Sequence, residues 1–541
     1  MTDPFATHEV FNQTPPYEDV NLFATDGPLR RALGLYASEA GTAELSGFGG
    51  VAGSAEAAEW ARLANEYPPV LETHDVQGRR ADRVRFHPAY HELMRTSFAH
   101  GVHKLEAGSN AHVLRAAKLY LAAQMESGHC CPITMTHAAV PVLARESRML
   151  APWLIKANAT QYDQSFKPAA QKASVTIGMG MTEKQGGSDV RANTTRAAPA
   201  DASGPGQTYE ITGHKWFMSA PMCDAFLILA QAKGGLTCFF MPRFRDDGQL
   251  NAIHFQRLKP KLGNRSNASS EVEFHAAQAV ALGEEGRGTS VIIGMVSLTR
   301  LDCALSSAAM MRQAFAHALH HARHRTAFQR KLIDQPLMLQ VLAGLALDVE
   351  AAVALSFRLA RAFDEGQSDG ARAWRRLMTP IVKYWVCKTA PQFVAEAMEC
   401  LGGNGYVETG PLARIYREVP VNAIWEGSGN IMALDVMRVL RREPELAHTL
   451  LDDFSAVPEL AGIASDLSAL LLQRGGEAAA REIAERFAVL AAAKLLLADA
   501  PQAVADAFVA HRLAGVQSRI YGASHLAHPV AVIEAATSGA R

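Results

Sequence analysis

Apolar residues recur at helical spacing from about residue 57 to 175; within 112–125, Val113, Ala116, Ala117, Tyr120 and Ala123 share one side of a helix. Between 177 and 280 the pattern changes to short runs of branched and aromatic side chains, at 209–212, 226–230, 236–241, 252–255 and 271–274. Lys233-Gly-Gly and Arg245-Asp-Asp-Gly punctuate them, which predicts a small β domain of sandwich or barrel type. Helical spacing returns from Gly288 to Arg441, with 336–363 and 377–401 long enough for a packed bundle, and Pro380 and Pro391 placed to start or kink helices. An Ala/Leu-rich helical tail follows Glu443-Pro-Glu, and residues 1–50, rich in Gly, Pro and polar side chains, predict an extended surface arm. The expected class is α+β: an N-terminal arm and helical domain (1–176), a central β domain (177–284), a helical bundle (285–441) and a helical C-terminal extension (442–541).

Length agrees with this division, since 541 residues correspond to roughly three or four domains of about 150 residues. A net charge of −1 gives no global attraction to nucleic acid or to membranes. Seven scattered cysteines without CxxC or Cys/His ligand spacing point to a reducing compartment, and argue against disulfides and a metal site. No basic segment followed by an apolar run opens the chain, and no uncharged apolar stretch reaches about 18 residues. A cytoplasmic protein without a membrane partner is expected.

The chemistry is concentrated near position 426. Trp425-Glu426-Gly427-Ser428-Gly429-Asn430 sets a carboxylate on a Gly-rich loop before an apolar helix, just downstream of Leu401-Gly402-Gly403-Asn404-Gly405-Tyr406. A glutamate hemmed by Trp425 is poorly solvated, which favours a base working near neutral pH. The glycines let a planar ligand or its phosphates approach the backbone. The same residues also describe an ordinary helix start, with Glu426 complementing the dipole.

No GxGxxG follows a strand, and GxxxxGK[ST], HExxH and GxSxG are missing, which disfavours Rossmann dehydrogenases, P-loop enzymes, zincins and α/β-hydrolases. Two stretches of the β region point elsewhere: Gly178-Met-Gly-Met-Thr-Glu-Lys-Gln-Gly-Gly-Ser-Asp-Val190 and Gly213-His-Lys-Trp-Phe-Met-Ser-Ala220. Each mixes hydroxyls, backbone N–H groups or aromatic faces, as a stacked isoalloxazine requires, although each alone also reads as a loop or a hairpin strand.

Taken in order, these segments resemble the acyl-CoA dehydrogenase superfamily over roughly residues 60–440. The resemblance implies FAD as cofactor. Met181 and Thr182 would meet the pyrimidine edge of the isoalloxazine, with Ser188 near cofactor or thioester. The strand carrying Trp216 and Phe217 would shield the ring, and Ser219 would lie near N5, where the family often has Thr. Arg325 and Phe328, with Gln335, resemble the segment that reaches FAD of a neighbouring subunit, although the family's following Gly is Gln329 here. Gly402, Gly403 and Gly405 resemble the glycines that contact FAD across the dimer, and Trp425, Ser428 and Asn430 are also expected at the cofactor. Thr299 and Arg300 match the helix that faces acyl-CoA, where Ser297 replaces a frequent acid. Glu426 falls on the family's catalytic base, which would take the α-proton of an acyl-CoA thioester.

A narrower resemblance, carried by Cys131-Pro-Ile-Thr-Met-Thr, Lys261-Leu-Gly-Asn-Arg-Ser-Asn-Ala-Ser and 422–432, is to the AidB group of alkylation-response flavoproteins. It implies a homotetramer with weak dehydrogenase activity, associated with double-stranded DNA. Arg512 and Arg519, seven apart and so on one side of a helix, are the expected DNA contacts. Against this, residues 441–541 carry nine Lys and Arg and twelve Asp and Glu, a poor balance for binding phosphates.

Overall fold

The computed structural model describes residues 7–37, 41–474, 476–513, 520–523 and 525–537. The N-terminal layer holds α1 (Gly27–Tyr36), α2 (Thr42–Ala52), α3 (Ala55–Glu66), β1 (Val70–His74), β2 (Arg80–Arg85), α4 (Pro88–Ala99), α5 (Ala111–Met125), α6 (Cys130–Arg145) and α7 (Ser147–Ala157). Two expectations change here. The extended arm ends at Asp26, whose buried carboxylate caps α1 by accepting from Leu29 N and also accepts from Tyr120 Oη at 3.0 Å. Leu29, Leu33, Leu45 and Phe48 are then buried on α1 and α2, a helical spacing that the surrounding glycines mask in the sequence. The second change is the antiparallel β1–β2 hairpin inside a region that reads as helical. Its alternation is carried by charged residues, with Asp82 and Val84 turned inward.

Strands β3 (Ile177–Gly180), β4 (Arg196–Pro199), β5 (Thr208–Ser219), β6 (Ala225–Ala232), β7 (Gly235–Pro242), β8 (Ile253–Leu258) and β9 (Ser269–Leu282) form one seven-stranded sheet. Its order is β3-β6-β4-β5-β9-β7, with β8 on β9, and β6 pairs again with β7 so that the sheet curls closed. Phe226, Phe239, Phe240, Phe255 and Phe274 fill the interior.

The helical bundle follows: α8 (Gly288–His324), the short hairpin β10 (Thr326–Ala327) and β11 (Arg330–Lys331), α9 (Pro336–Asp364), α10 (Asp369–Ala373), α11 (Thr379–Glu399), α12 (Gly403–Tyr406), α13 (Pro411–Glu418) and α14 (Gly429–Arg442). Pro380 lies in the first turn of α11 and Pro391 inside it. Helices α8 and α9 are long and apolar enough to cross a membrane, but 67% of the most apolar stretch of each is buried within the protein, so packing consumes that surface. The tail, α15 (Pro444–Ser455), α16 (Pro458–Arg474), α17 (Ala480–Asp499), α18 (Gln502–Phe508) and α19 (Pro529–Thr537), folds back onto the bundle. Leu446, Phe454, Phe487, Leu490 and Ile533 share one apolar core with Leu305, Phe315 and Phe357.

Candidate active site

Glu426 stands in the turn between α13 and α14 with φ at 59°, a left-handed backbone that costs a non-glycine residue roughly 1–2 kcal/mol. Such strain persists where neighbours over-determine the conformation, and here three groups do so. Arg300 Nε donates to the Glu426 carbonyl at 3.1 Å and is itself tied to Asp435 at 2.6 Å. Lys383 Nζ donates to the Gly427 carbonyl at 2.8 Å. Thr299 Oγ donates to the carboxylate Oε2 at 2.7 Å. Burial pushes the Glu426 carboxyl above the usual carboxylate range, against the opposing pull of Thr299, Lys383 and Arg300. Trp425 donates from Nε1 to Asn422 Oδ1 at 2.8 Å and packs on the apolar core of the β domain, which brings the loop against the sheet.

Of the two residues expected to face a substrate, Thr299 points at the Glu426 carboxylate. Arg300 is instead spent on the loop backbone and Asp435, so its visible work is to hold Glu426 in place. Lys383 and Asp435 were missed by sequence reading. The signal for Lys383 was present: a lone cation in the apolar run Pro380-Ile-Val-Lys-Tyr-Trp-Val, nearly fully buried in the fold. Asp435 gives none, because an acid on an amphipathic helix looks like any other.

The expected flavin segments meet at one edge of the sheet. Trp216 N donates to Thr182 O at 2.8 Å, joining β5 to the loop after β3, and Asn193 Nδ2, just before β4, donates to Met181 O at 2.9 Å. Beneath them Lys215 and Glu183 form an enclosed ion pair at 2.8 Å, and Glu183 also accepts from Thr194 N at 2.7 Å and Thr195 N at 3.1 Å. Burial lowers the Lys215 ammonium to about 8, while burial of Glu183 is outweighed by Lys215 and the hydroxyl and amide donors, which hold its carboxyl well below the usual range. Between Lys215 and Met218 the β5–β9 register slips by one residue, a bulge that re-aims the intervening rings. Trp216 lies under Lys259 Nζ, 3.2 Å from the ring centre, and Phe217 remains 48% exposed. Ser219 pairs in register with Ser269, and Ser188 is exposed at the end of the loop.

A third group faces outward. Phe328 and Gln329 form the two-residue turn of the β10–β11 hairpin with φ of 50° and 65°, and Phe328 is 94% exposed. Asn12 of the arm grips this hairpin: its Nδ2 donates to Thr326 O at 2.7 Å, its Oδ1 accepts from Thr326 N at 2.8 Å, and its carbonyl accepts from Arg325. Gln335 donates to Ala327 O at 3.2 Å. Gly402 and Gly403 are exposed, Gly402 with φ at 58°. Gly405 is different, because a side chain there would strike Met398 O at 2.0 Å, so packing on α11 alone requires a glycine. Ser428 starts α14, and Asn430 accepts from Arg481 of α17 at 2.8 Å. Among the described residues no hydrogen bond joins the Arg325 hairpin or the Gly402 turn to the Glu426 loop.

Arg512 is not displayed as the expected phosphate contact. Its Nε and Nη2 lie 3.1 and 3.0 Å from Asp348 Oδ1, and Tyr521 Oη donates to Oδ2 at 2.6 Å. Arg519 lies outside the described residues. No group of three or more His, Cys, Asp or Glu side chains among the described residues is arranged to hold a metal ion.

Residues 12–164 match the family described as "Adaptive response protein AidB N-terminal domain", 178–277 "Acyl-CoA dehydrogenase, middle domain" and 286–441 "Acyl-CoA dehydrogenase, C-terminal domain". AidB of Escherichia coli (strain K12) is 50% identical over 458 residues, 83% of this chain and 84% of the relative. The chain belongs to the acyl-CoA dehydrogenase family. As a member of that family it is an FAD-dependent oxidoreductase. "Acyl-CoA dehydrogenase family member 11" of Caenorhabditis elegans is 32% identical, covering 78% of this chain and 70% of the relative. The solved structure of Caenorhabditis elegans ACDH-11 in complex with C11-CoA superposes with a TM-score of 0.83 at 26% identity, covering 93% of this chain and 92% of that one.

Proposed function

We propose that this acyl-CoA dehydrogenase oxidises a short or branched acyl-CoA thioester, with Glu426 as the base that removes the α-proton. The observation that carries this reading is the Glu426 carboxylate, fixed by Thr299 on a strained turn and raised in pKa by burial. A weak carbon acid needs a poised base held beside it, and burial supplies the higher basicity. Thr299 keeps one carboxylate oxygen engaged and leaves the other for the substrate. Trp425, locked by Asn422, is bulkier than the tyrosine of the family motif and narrows the acyl space.

The residues suit FAD. The loop of Met181, Thr182 and Ser188 is bonded to β5 at Trp216, with Phe217 and Ser219 next along that strand, so hydroxyls and backbone groups stand near a half-exposed aromatic face. FAD held there would supply the acceptor for the hydride that leaves the substrate β-carbon. Arg325, Phe328, Gln335, Gly402 and Gly403 stand away from this edge and are read as serving the cofactor of a neighbouring subunit in a homotetramer. The test is Glu426→Gln. It should retain FAD and lose flavin reduction by a short branched acyl-CoA about 10²–10⁴-fold. Near-normal reduction would reassign Glu426 to shaping the start of α14.

A role in the alkylation-damage response, with duplex DNA as partner, is supported by the match of residues 12–164 to the AidB N-terminal domain. Because Arg512 is engaged by Asp348, the tail is a weak candidate for the contact. Affinity for unrelated duplexes at two salt concentrations tests this reading: phosphate binding is indifferent to sequence and falls steeply with salt, and no binding at low salt removes it.

A further inference from the structure

Behind Ser219 runs a chain of polar atoms. Ser219 Oγ lies 3.1 Å from Ser269 Oγ, its cross-strand partner on β9, and Lys261 Nζ donates to Ser269 Oγ at 3.0 Å. The loop that brings Lys261 there is closely determined. A side chain at Gly263 would strike Arg417 O at 2.2 Å, Asn264 Nδ2 donates to Glu418 Oε1 at 2.8 Å, and Ser266 Oγ donates to Glu126 Oε1 at 2.9 Å. Both glutamates are buried, so Lys261 is held from the C-terminal cap of α5 and from α13 rather than free to swing away.

Proton counting gives this chain a direction. An ammonium has donors only, so Ser269 Oγ must accept from Lys261. A hydroxyl has one proton, and a buried one needs an acceptor. Ser269 is buried, and the acceptor in reach is Ser219 Oγ. Ser219 then receives from Ser269, and its own proton points away from the chain.

We propose that Lys261, acting through Ser269, is a positioning residue that fixes Ser219 as a hydrogen-bond donor toward the flavin. This rests on the reading that Ser219 meets the cofactor at N5. A donor there draws electron density from the ring edge that receives the hydride, and presetting the proton removes a reorganisation cost from the reaction. Burial lowers the Lys261 ammonium to about 8, with Cys131 and Glu418 the titratable groups facing it, so it is charged at neutral pH. Without the lysine, Ser269 and Ser219 could donate in either direction, and Ser219 would present a lone pair part of the time.

The test uses the FAD-loaded protein and reads the visible flavin absorption band together with the rate of flavin reduction. Ser219→Ala, Ser269→Ala and Lys261→Met should each move the band in one direction and slow reduction on the order of tenfold, the scale of one hydrogen bond assisted by a charge. Ser269→Ala combined with Lys261→Met should look like Ser269→Ala alone, because both break one chain, and Lys261→Arg should restore the band. An additive double variant, or a Lys261→Met band at the wild-type position while Ser219→Ala shifts it, overturns the relay. A Ser219→Ala variant with an unshifted band overturns the placement of Ser219 at the flavin and the relay with it. Should Lys261→Met fail to fold, Ser269→Ala against Ser269→Thr decides, since threonine keeps the hydroxyl; matching bands from those two overturn the relay.

Discussion

Thr299 Oγ donates to Glu426 Oε2 at 2.7 Å, one helix holding the carboxylate that another helix's leading turn presents. This bond stabilises the charged form, while burial favours the neutral one and prevails. If Glu426 is the base, as proposed, it must be ionised to work, and flavin reduction should rise with pH through a pKa above the ordinary glutamate value. Thr299→Val removes the donor and should move that acidic limb to still higher pH, with the rate recovering in alkali. Stopped-flow reduction across pH checks it, and an unmoved limb would show that Thr299 does not tune the base.

Stability has the opposite dependence. A folded-state pKa raised above the unfolded value contributes stability that is full below the unfolded pKa and is lost as pH rises through the folded one. At neutral pH, Glu426→Gln should therefore melt higher than wild type while losing activity, whereas at acidic pH the two should converge. Thermal unfolding of both proteins at several pH values measures the difference, and a variant that melts lower at neutral pH would mean the carboxylate charge is stabilising.

The enclosed pair Lys215–Glu183 supports the loop that carries Met181 and Thr182. Lys215→Met leaves a buried carboxylate without its cation, a loss of about 3–5 kcal/mol. The loop should loosen, so purified protein should hold less FAD and unfold earlier in denaturant. Full FAD content at wild-type stability would show that the amides of Thr194 and Thr195 suffice to hold Glu183.

The sequence made the order of helical and β layers legible because periodicity reports which face is buried, and long helices such as α9 and α11 declare it over many turns. It made Glu426, Thr299 and the 181–188 loop legible through short motifs. It could not show α1 and α2, where glycines break up the apolar spacing, or β1–β2, where charged residues carry the alternation. Nor could it show what a matched side chain is bonded to. Arg300 matches a substrate-facing motif yet holds the backbone of Glu426, and Gly405 sits in a cofactor motif yet is required by Met398. Such distinctions depend on atoms brought together from distant parts of the chain.

The β10–β11 turn places two non-glycine residues at positive φ. Two-residue hairpin turns of this kind favour Asn and Gly, because a Cβ is crowded there. Gln329→Gly should stabilise the protein by up to about 1 kcal/mol, with chain entropy reducing the gain. If Phe328 meets the cofactor of a neighbouring subunit, the freer turn should also release FAD more readily. Denaturant midpoints and FAD dissociation rates separate the effects, and a lower midpoint would mean that the Gln329 side chain makes a contact worth more than the strain.

Arg512 and Asp348 bear on the DNA question through stability. The Asp348 carboxylate is buried and takes two guanidinium contacts and the Tyr521 hydroxyl. The arginine side chain is only 23% exposed, so water screens the pair weakly. Arg512→Ala should therefore cost about 2–4 kcal/mol, part of it the unpaired buried charge. Asp348→Asn together with Arg512→Leu should be far milder, because neither charge remains to be desolvated. Any loss of duplex affinity in Arg512→Ala alone would then be loosening of the tail, and the milder pair should keep that affinity. Melting temperature and salt-dependent duplex affinity of both variants decide it. If the stable double variant loses affinity equally for all duplexes, Arg512 contacts phosphate after all.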